Sequence, residues 1–268
     1  MVQAVIPELE RVSPSSISAF LLCKRKFYYQ YRLKIPRKPS RGKDLGSAVH
    51  NICESWILYR EIPDITGKAL DCARALFPHL PVLHTDQVEQ KIRLEIPGFP
   101  VITGRVDHWG YSHEYDNGSS SIIESQEVSL GHSYVRDNVP KILVSDIKTL
   151  SDFRYVKTHE QLRDDPQAVI YCTAFASHGN PTFRHLYVRT TPPHYTKVVE
   201  ISYDREELKS RLVGILGTVY QMMETYSLPL KEVAGNTNMC DTYGGCDFRC
   251  HCAAEGIQSL GVYSPRKQ

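Results

Sequence analysis

Apolar positions recur along this chain with two spacings, one typical of helices and one typical of strands. Ser13 and Pro14 begin the first helical pattern, because serine can cap free backbone amides and proline fits the first turn of a helix. This pattern predicts a helix from Pro14 to about Tyr31 with apolar residues along one side. Further helical patterns cover residues 46–60, 64–76, 166–175 and 206–226.

Strand patterns lie between these predicted helices. Short apolar or alternating runs occur at residues 88–96, 101–107, 144–149, 183–189 and 198–203, and a weaker run covers residues 122–128. Strands and helices arranged in this way predict an α/β fold with a mixed central β-sheet flanked by helices.

The run Val144–Thr149 carries the first candidate chemistry. Side chains alternate across a strand, so Asp146 and Lys148 share one face while Ile147 points to the other. In another run, Asp107 follows Gly104, where the backbone can bend. Two carboxylates can hold Mg²⁺ or Mn²⁺, and a lysine can orient water or stabilise charge on a phosphate. This combination predicts metal-assisted phosphodiester hydrolysis, although an Asp-x-Lys triplet alone equally fits a solvated salt bridge on a surface strand.

Length and composition limit the classes of protein to which this chain can belong. The chain has 268 residues, of which 41% are hydrophobic, and this is enough for one large globular core. No stretch approaches the roughly 20 apolar residues of a membrane span, and the N-terminus lacks a signal-peptide pattern. The sequence therefore predicts a soluble cytoplasmic protein that does not enter a membrane.

Positive charge is concentrated near the N-terminus. The formal net charge is +2, but residues 24–43 hold nine of the 32 basic residues and no acid, which leaves 23 basic against 30 acidic residues elsewhere. Aromatic residues lie among these cations, and this combination suits a nucleic acid with unpaired bases. The alternative is a solvated basic helix face beside a core stripe of tyrosines. The residues predicted to contact DNA are Lys24, Arg25, Lys26, Tyr28, Tyr31 and Arg41.

Four short motifs follow one another along the chain. They are Gly46–His50, Gly104–Asp107, the pair Asp146 and Lys148, and the pair Gln167 and Tyr171. Their order resembles the RecB-type branch of the PD-(D/E)XK nuclease superfamily, over a span from about residue 13 to residue 252. The resemblance implies a deoxyribonuclease that depends on Mg²⁺ or Mn²⁺ and that acts on DNA.

The same resemblance implies a role for each matched residue. The implied metal ligands are His50, Asp107 and Asp146. Lys148 would polarise the attacking water or the scissile phosphate. Gln167 and Tyr171, four positions apart on one helix face, would help to place the DNA strand.

The C-terminal cysteines form a second feature. The chain has eight cysteines, and four of them, Cys240, Cys246, Cys250 and Cys252, lie within 13 residues. A disulfide framework is unusual in a cytoplasmic protein. Cys53, Cys72 and Cys172 lie within helical patterns and are predicted to be inert core thiols.

In iron–sulfur members of the resembled family, a cysteine near the first helix joins three C-terminal cysteines around a [4Fe-4S] cluster. The cysteines implied here are Cys23, Cys240, Cys246 and Cys252. Five residues separate each neighbouring pair of the last three, whereas the family commonly has two and then five. Zn²⁺ held by Cys240, Cys246, Cys250 and Cys252 or His251 is the alternative, although no Cys-x₂-Cys pair is present.

These expectations combine into one functional hypothesis. The chain is predicted to be a single nuclease domain, with a basic helical segment at 1–45, a nuclease core at 46–226 and a cysteine-rich segment at 227–268. Basic and aromatic residues together favour single-stranded DNA, while exonuclease action from an end rests on the resemblance alone. This hypothesis fits a role in recombination, in repair or in phage or CRISPR DNA processing, with a helicase or another protein as a possible partner. The alternative is a non-catalytic DNA-binding or assembly subunit that keeps the fold.

Overall fold

A computed structural model describes residues 8–37, 41–115, 140–241, 245–254 and 256. The predicted strand at residues 122–128 lies outside these ranges. The strands are β1 (Arg11–Val12), β2 (Val88–Leu94), β3 (Val101–Tyr111), β4 (Lys141–Leu150), β5 (Asn180–Arg189) and β6 (Thr196–Ser202). The helices are α1 (Pro14–Leu22), α2 (Lys24–Phe27), α3 (Arg41–Tyr59), α4 (Lys68–Leu76), α5 (Ser112–Tyr115), α6 (His159–Arg163), α7 (Pro166–Phe175), α8 (Arg205–Ser227) and α9 (Arg249–Ala254). Among the described residues, every helix is too short or too polar to cross a membrane.

The chain forms two compact units. The first contains the described parts of residues 1–39, 94–103 and 213–268, and the second contains those of 40–93 and 104–212. Boundaries between the units fall inside β2, β3 and α8. The units cut across the three predicted segments, and a single nuclease domain stays a prediction.

The second unit is built on a mixed sheet, as predicted. β3 runs antiparallel to β4, from His108 opposite Ser145 to Tyr111 opposite Ile142. β4 runs parallel to β5 along its full length, β6 is antiparallel to β5, and β2 pairs with β3. β4 has a neighbour on both sides, and its residues 142–147 are buried, including the polar Ser145 and Asp146.

The two faces of this sheet have different roles. Helices α3 and α4 cover one face and bury a cluster that includes Ile52, Leu76, Ile147 and Leu186. Helix α7 covers the opposite face, where the Tyr171 ring lies 6.3 Å from the ring of Phe183. The alternation of side chains along β4 therefore places Ile147 in the core and the acid and lysine of the Asp-x-Lys triplet on the α7 side.

In the first unit, the predicted continuous helix from Pro14 to Tyr31 is broken at Cys23. Helix α1 begins at the Ser13 cap, as expected, but Cys23 has an extended backbone (φ −164°, ψ 119°), which cannot continue a helix. Asn236 contacts the break directly, because its side-chain amide donates to the Leu22 carbonyl at 3.1 Å. The chain then resumes as α2 and one π-helical turn over residues 28–32.

Candidate active site

The backbone of Ile147 holds two candidate metal ligands. β3 and β4 are paired up to His108 and Ser145 and then separate, which frees the N–H and C=O of Ile147 from that ladder. The Ile147 N–H donates to Asp107 Oδ2 at 2.6 Å, and His50 Nε2 lies 2.9 Å from the Ile147 carbonyl oxygen. Since a carbonyl only accepts, Nε2 carries the proton, and Nδ1 of His50 faces Asp107 Oδ2 at 3.3 Å.

Glu89 joins these two residues. Ligand atoms of His50, Glu89 and Asp107 all lie within 4.8 Å of one another, and the three residues line a small open cavity. Glu89 has a φ of +51°, a strained value for a residue with a side chain, and Arg105 Nη1 donates to its carboxylate at 3.0 Å. Glu89 is close enough in sequence to the predicted site to reach it, but it was not among the predicted ligands, because a glutamate on a β-strand is more often solvated.

Asp146 and Lys148 form a separate part of the site. Asp146 is 3% exposed, its Oδ1 accepts from Gln167 Nε2 at 2.5 Å, and its Oδ2 pairs with Lys148 Nζ. His185 Nε2 lies 3.7 Å from the same Oδ2. The structure thus brings the predicted acid, lysine and glutamine together, with both carboxylate oxygens of Asp146 facing protein groups.

Charges in the site move the pKa values of its carboxyl groups in opposite directions. Burial and the charge of Asp146 raise the pKa of Asp107, although His50 and Lys148 act against them. Burial would raise the pKa of Asp146, but Lys148 together with His185 and His50 outweighs it, and the net shift is downward. Desolvation would lower the pKa of Lys148, but the two carboxylates raise it. An ionised Asp146 and a cationic Lys148 are therefore the stable pair at neutral pH.

Two histidines in the site have opposite protonation preferences. Burial lowers the pKa of His50, but its hydrogen bond to Asp107 and the charge of that residue raise it to about 9. Burial lowers the pKa of His185 to about 3 against the opposing charge of Asp146, so the His185 ring is neutral.

Tyr171 packs beneath β3 and does not reach the surface. It is 4% exposed, and its hydroxyl donates to the Arg105 carbonyl at 2.7 Å. A Cβ at Gly104 would lie 2.6 Å from Tyr171 Cε1, so Gly104 is required for close approach and not only for a bend. The Tyr171 side chain holds β3, the strand that carries Asp107, and its predicted role in helping to place the DNA strand stays a prediction. Gln167 lies beside it on α7, whose first turn is capped by Asp165.

Comparison with protein families gives one match. Residues 11–124 match the family model of the PD-(D/E)XK nuclease superfamily. The match covers less than half of the chain. The match includes His50, Glu89 and Asp107 and ends before Asp146. A search of curated proteins found no match.

Solved structures are similar to this protein over nearly the whole chain. One is the crystal structure named "Putative exonuclease" from Eubacterium rectale, with 12% identity, a TM-score of 0.54, and coverage of 95% of this chain and 91% of that chain. Another is the crystal structure of SSO0001, with 14% identity, a TM-score of 0.46, and coverage of 94% and 90%. At these identities the first similarity establishes a shared fold.

Part of the basic segment is buried within the first unit. Arg25 is 2% exposed, and it donates to the carbonyls of Val233 at 2.8 Å and Leu230 at 3.1 Å. Tyr28 is 5% exposed, and its hydroxyl donates to the Leu228 carbonyl. The prediction that Arg25 and Tyr28 contact DNA is therefore wrong, because both side chains satisfy the backbone of a distant segment.

The remaining predicted DNA contacts are partly accessible. Lys24, Lys26 and Tyr31 are half-buried. Lys24 Nζ lies 5.2 Å from the centre of the Phe20 ring, and Tyr31 stacks on Phe27 at 5.5 Å. The side chain of Arg41 lies outside the described residues.

Four cysteines of the first unit lie near one another. Burial and then the charges of Cys246, Cys252 and Cys23 raise the pKa of Cys240. The backbone N–H of Asn236 donates to Cys23 Sγ at 3.3 Å. These are the four cysteines predicted as cluster ligands.

Two residues of α2 and the following turn support this group. The Tyr29 hydroxyl donates to the Cys252 side chain, and Arg25 Nη1 donates to the Tyr29 hydroxyl at 3.3 Å. Cys250 is exposed, whereas Cys53 and Cys172 are buried in the second unit.

Proposed function

We propose that this protein is a metal-dependent DNA nuclease. The observation that carries the proposal is the convergence of His50, Glu89 and Asp107 beside the buried pair of Asp146 and Lys148. Two carboxylates and an imidazole within 4.8 Å suit Mn²⁺ or Mg²⁺, and the proton on His50 Nε2 leaves Nδ1 as the ligand atom. A bound cation would supply Lewis-acid polarisation of the scissile phosphate.

The residues of the chain have distinct parts in the proposed reaction. Lys148 donates to the attacking water or to the phosphate and stabilises the developing charge. Asp146 keeps Lys148 charged, and Gln167 holds Asp146 in place through the 2.5 Å hydrogen bond. His50, Asp107 and Asp146 remain the proposed metal ligands, and Glu89 is added because its carboxylate faces the first two.

The nuclease proposal is tested by incubating labelled DNA with Mn²⁺, Mg²⁺ or EDTA. Asp107→Ala and Asp146→Ala should abolish cleavage, and Lys148→Ala should abolish it while Mn²⁺ binding is retained. Lys141→Ala is the matched control, because Lys141 is an exposed lysine at the start of the same strand, and this variant should cut like the wild type. Wild-type rates in all three site variants would place the chemistry elsewhere.

The role of Glu89 is tested separately from that of Asp146. If Glu89 is a ligand, Glu89→Gln should weaken Mn²⁺ binding and raise the Mn²⁺ concentration needed for half-maximal cleavage. Calorimetric titration with Mn²⁺ measures the first effect directly. Unchanged Mn²⁺ affinity in Glu89→Gln would leave the predicted set of His50, Asp107 and Asp146.

We also propose a preference for single-stranded DNA and for action from an end. Lys24, Lys26 and Tyr31 support the first part, because partly exposed cations and an aromatic ring suit a strand with unpaired bases. Action from an end rests on the family resemblance. Linear single strands should be degraded faster than blunt duplex, and circular single strands should resist. Equal cleavage of circular and linear strands would indicate an endonuclease, and a preference for blunt duplex would contradict the stacking argument.

A non-catalytic DNA-binding subunit is the competing function. Such a subunit has no need to keep a lysine, three carboxylates and a histidine together in one site. Binding of DNA without cleavage under every metal tested would favour it over the nuclease.

We propose further that Cys23, Cys240, Cys246 and Cys252 hold a [4Fe-4S] cluster. The interaction of their charges and the Asn236 N–H on Cys23 support this ligand set. Zn²⁺ held by Cys240, Cys246, Cys250 and Cys252 or His251 is the competing proposal.

The cluster proposal predicts iron and sulfide in protein purified without oxygen. Cys23→Ser should remove both and destabilise the fold, because metal ligation contributes folding free energy. Cys250→Ser should leave the iron content unchanged, since Cys250 is exposed and is not one of the four. Stoichiometric zinc without iron, unaffected by Cys23→Ser, would contradict the proposal.

A further inference from the structure

Strand β5 places two polar side chains directly beside the Asp-x-Lys triplet. In the parallel pairing of β4 and β5, Asp146 lies opposite His185, and Lys148 lies opposite Tyr187. His185 is 1% exposed and Tyr187 is 3% exposed. Neither residue belongs to the four sequence motifs, and neither has a part in the reaction proposed above.

The hydrogen bonds of Tyr187 determine which nitrogen of His185 carries the proton. The Tyr187 hydroxyl lies 3.3 Å from the backbone N–H of Lys157, which can only donate, and 2.8 Å from His185 Nδ1. The Tyr187 side chain is buried, so its hydroxyl proton needs an acceptor, and His185 Nδ1 is an acceptor within its reach. We therefore assign the hydroxyl as accepting from Lys157 and donating to His185 Nδ1. A neutral imidazole has a single N–H, and His185 must therefore carry it on Nε2.

The Nε2–H of His185 points to Asp146 but does not reach it. The distance to Asp146 Oδ2 is 3.7 Å, too long for a hydrogen bond, and within the described chain Nε2 has no other partner. Lys148 Nζ holds the same Oδ2. In the proposed reaction Lys148 must turn to the substrate. Asp146 is also a proposed metal ligand, but a carboxylate oxygen has two lone pairs, so Oδ2 would still lose the donor of one of them, which is costly for a buried anionic oxygen.

We propose that His185 is a positioning residue, which donates its Nε2–H to Asp146 Oδ2 when Lys148 turns to the substrate, and that Tyr187 fixes the required tautomer. The inference rests on the proposed nuclease function. His185 acts through Asp146 and does not touch the DNA. A shift of a few tenths of an ångström closes the gap between the two atoms, and the carboxylate then stays in place during the reaction.

Three variants test this inference through kcat and KM at saturating Mn²⁺ with single-stranded DNA. His185→Leu removes the donor at similar volume and should lower kcat about 10- to 100-fold with KM nearly unchanged, the usual effect of losing such a supporting partner. Tyr187→Phe removes the hydroxyl that fixes the tautomer of His185, and it should also lower kcat. His185→Gln restores an N–H donor and should recover part of the lost rate.

Tyr203→Phe is the matched control. Tyr203 is 4% exposed, and its hydroxyl donates to the Arg163 carbonyl at 3.0 Å, so this variant also loses one buried hydroxyl hydrogen bond in the second unit. It should lower the melting temperature as Tyr187→Phe does but leave kcat unchanged. A wild-type kcat in His185→Leu, or equal losses of kcat in Tyr187→Phe and Tyr203→Phe, would overturn the inference. If the wild type does not cut DNA at all, the proposed function fails instead.

Discussion

Raising the pH should destabilise the metal-free protein through His50. The pKa of His50 is raised from 6.5 to about 9, because the hydrogen bond and charge of Asp107 outweigh the effect of burial. Folding therefore favours the protonated ring. The resulting stabilisation is fully present below pH 6.5, and it is lost as the pH rises through the folded-state pKa of about 9.

The size of the effect follows from the two pKa values. Their difference is about 2.5, and each pKa unit corresponds to about 1.36 kcal/mol. The ceiling is therefore about 3 kcal/mol of unfolding free energy. His50 is 28% exposed at its side chain, so solvent screening brings the expected loss somewhat below this ceiling.

Urea unfolding in EDTA, below pH 6.5 and above pH 9, measures the effect. His50→Gln is the reference, because subtracting its pH dependence removes the titration of all other groups. Asp107→Asn should reduce the wild-type dependence, since it removes the charge that holds the proton. Mn²⁺ affinity should show the opposite trend and rise over this range, because His50 must lose its proton to bind a cation.

One result would refute this reasoning. If the wild type and His50→Gln lose the same free energy of unfolding between the two pH values, Asp107 does not hold a proton on His50 in the folded protein. The arrangement of both residues on the Ile147 backbone would then have to be different in solution.

Two further predictions concern stability and DNA binding. Gly104→Ala should lower the free energy of unfolding by about 1–3 kcal/mol in a urea titration, because the new Cβ would lie 2.6 Å from Tyr171. Gly214→Ala is the control, and it should be neutral or stabilising, because a Cβ at that position has nothing within 4 Å. Arg25→Met should reduce stability with little effect on DNA affinity, and Lys26→Ala should weaken salt-sensitive DNA binding with little effect on stability. If Arg25→Met instead weakened DNA binding and left stability unchanged, Arg25 would belong to the DNA-binding surface.

The sequence by itself determined features that depend on local spacing. Because side chains alternate along a strand, Asp146 and Lys148 had to share a face wherever that strand lies in the fold. The start of α7 at Pro166 and the Ser13 cap of α1 also follow from neighbouring residues, and the structure has both. The order of the motifs was sufficient to predict the nuclease superfamily, which the match over residues 11–124 supports independently.

Tertiary structure decided the features that depend on distant segments. The residues next to Arg25 in the sequence indicate a surface cation. In the fold, however, its guanidinium is buried and donates to the carbonyl of Val233, which is 208 residues away in the sequence. Glu89 joins the site because β2 pairs with β3, and His185 meets Asp146 only through the register of β4 and β5. Burial and electrostatic partners are set by these long-range pairings, and the periodicity of a single segment does not contain them.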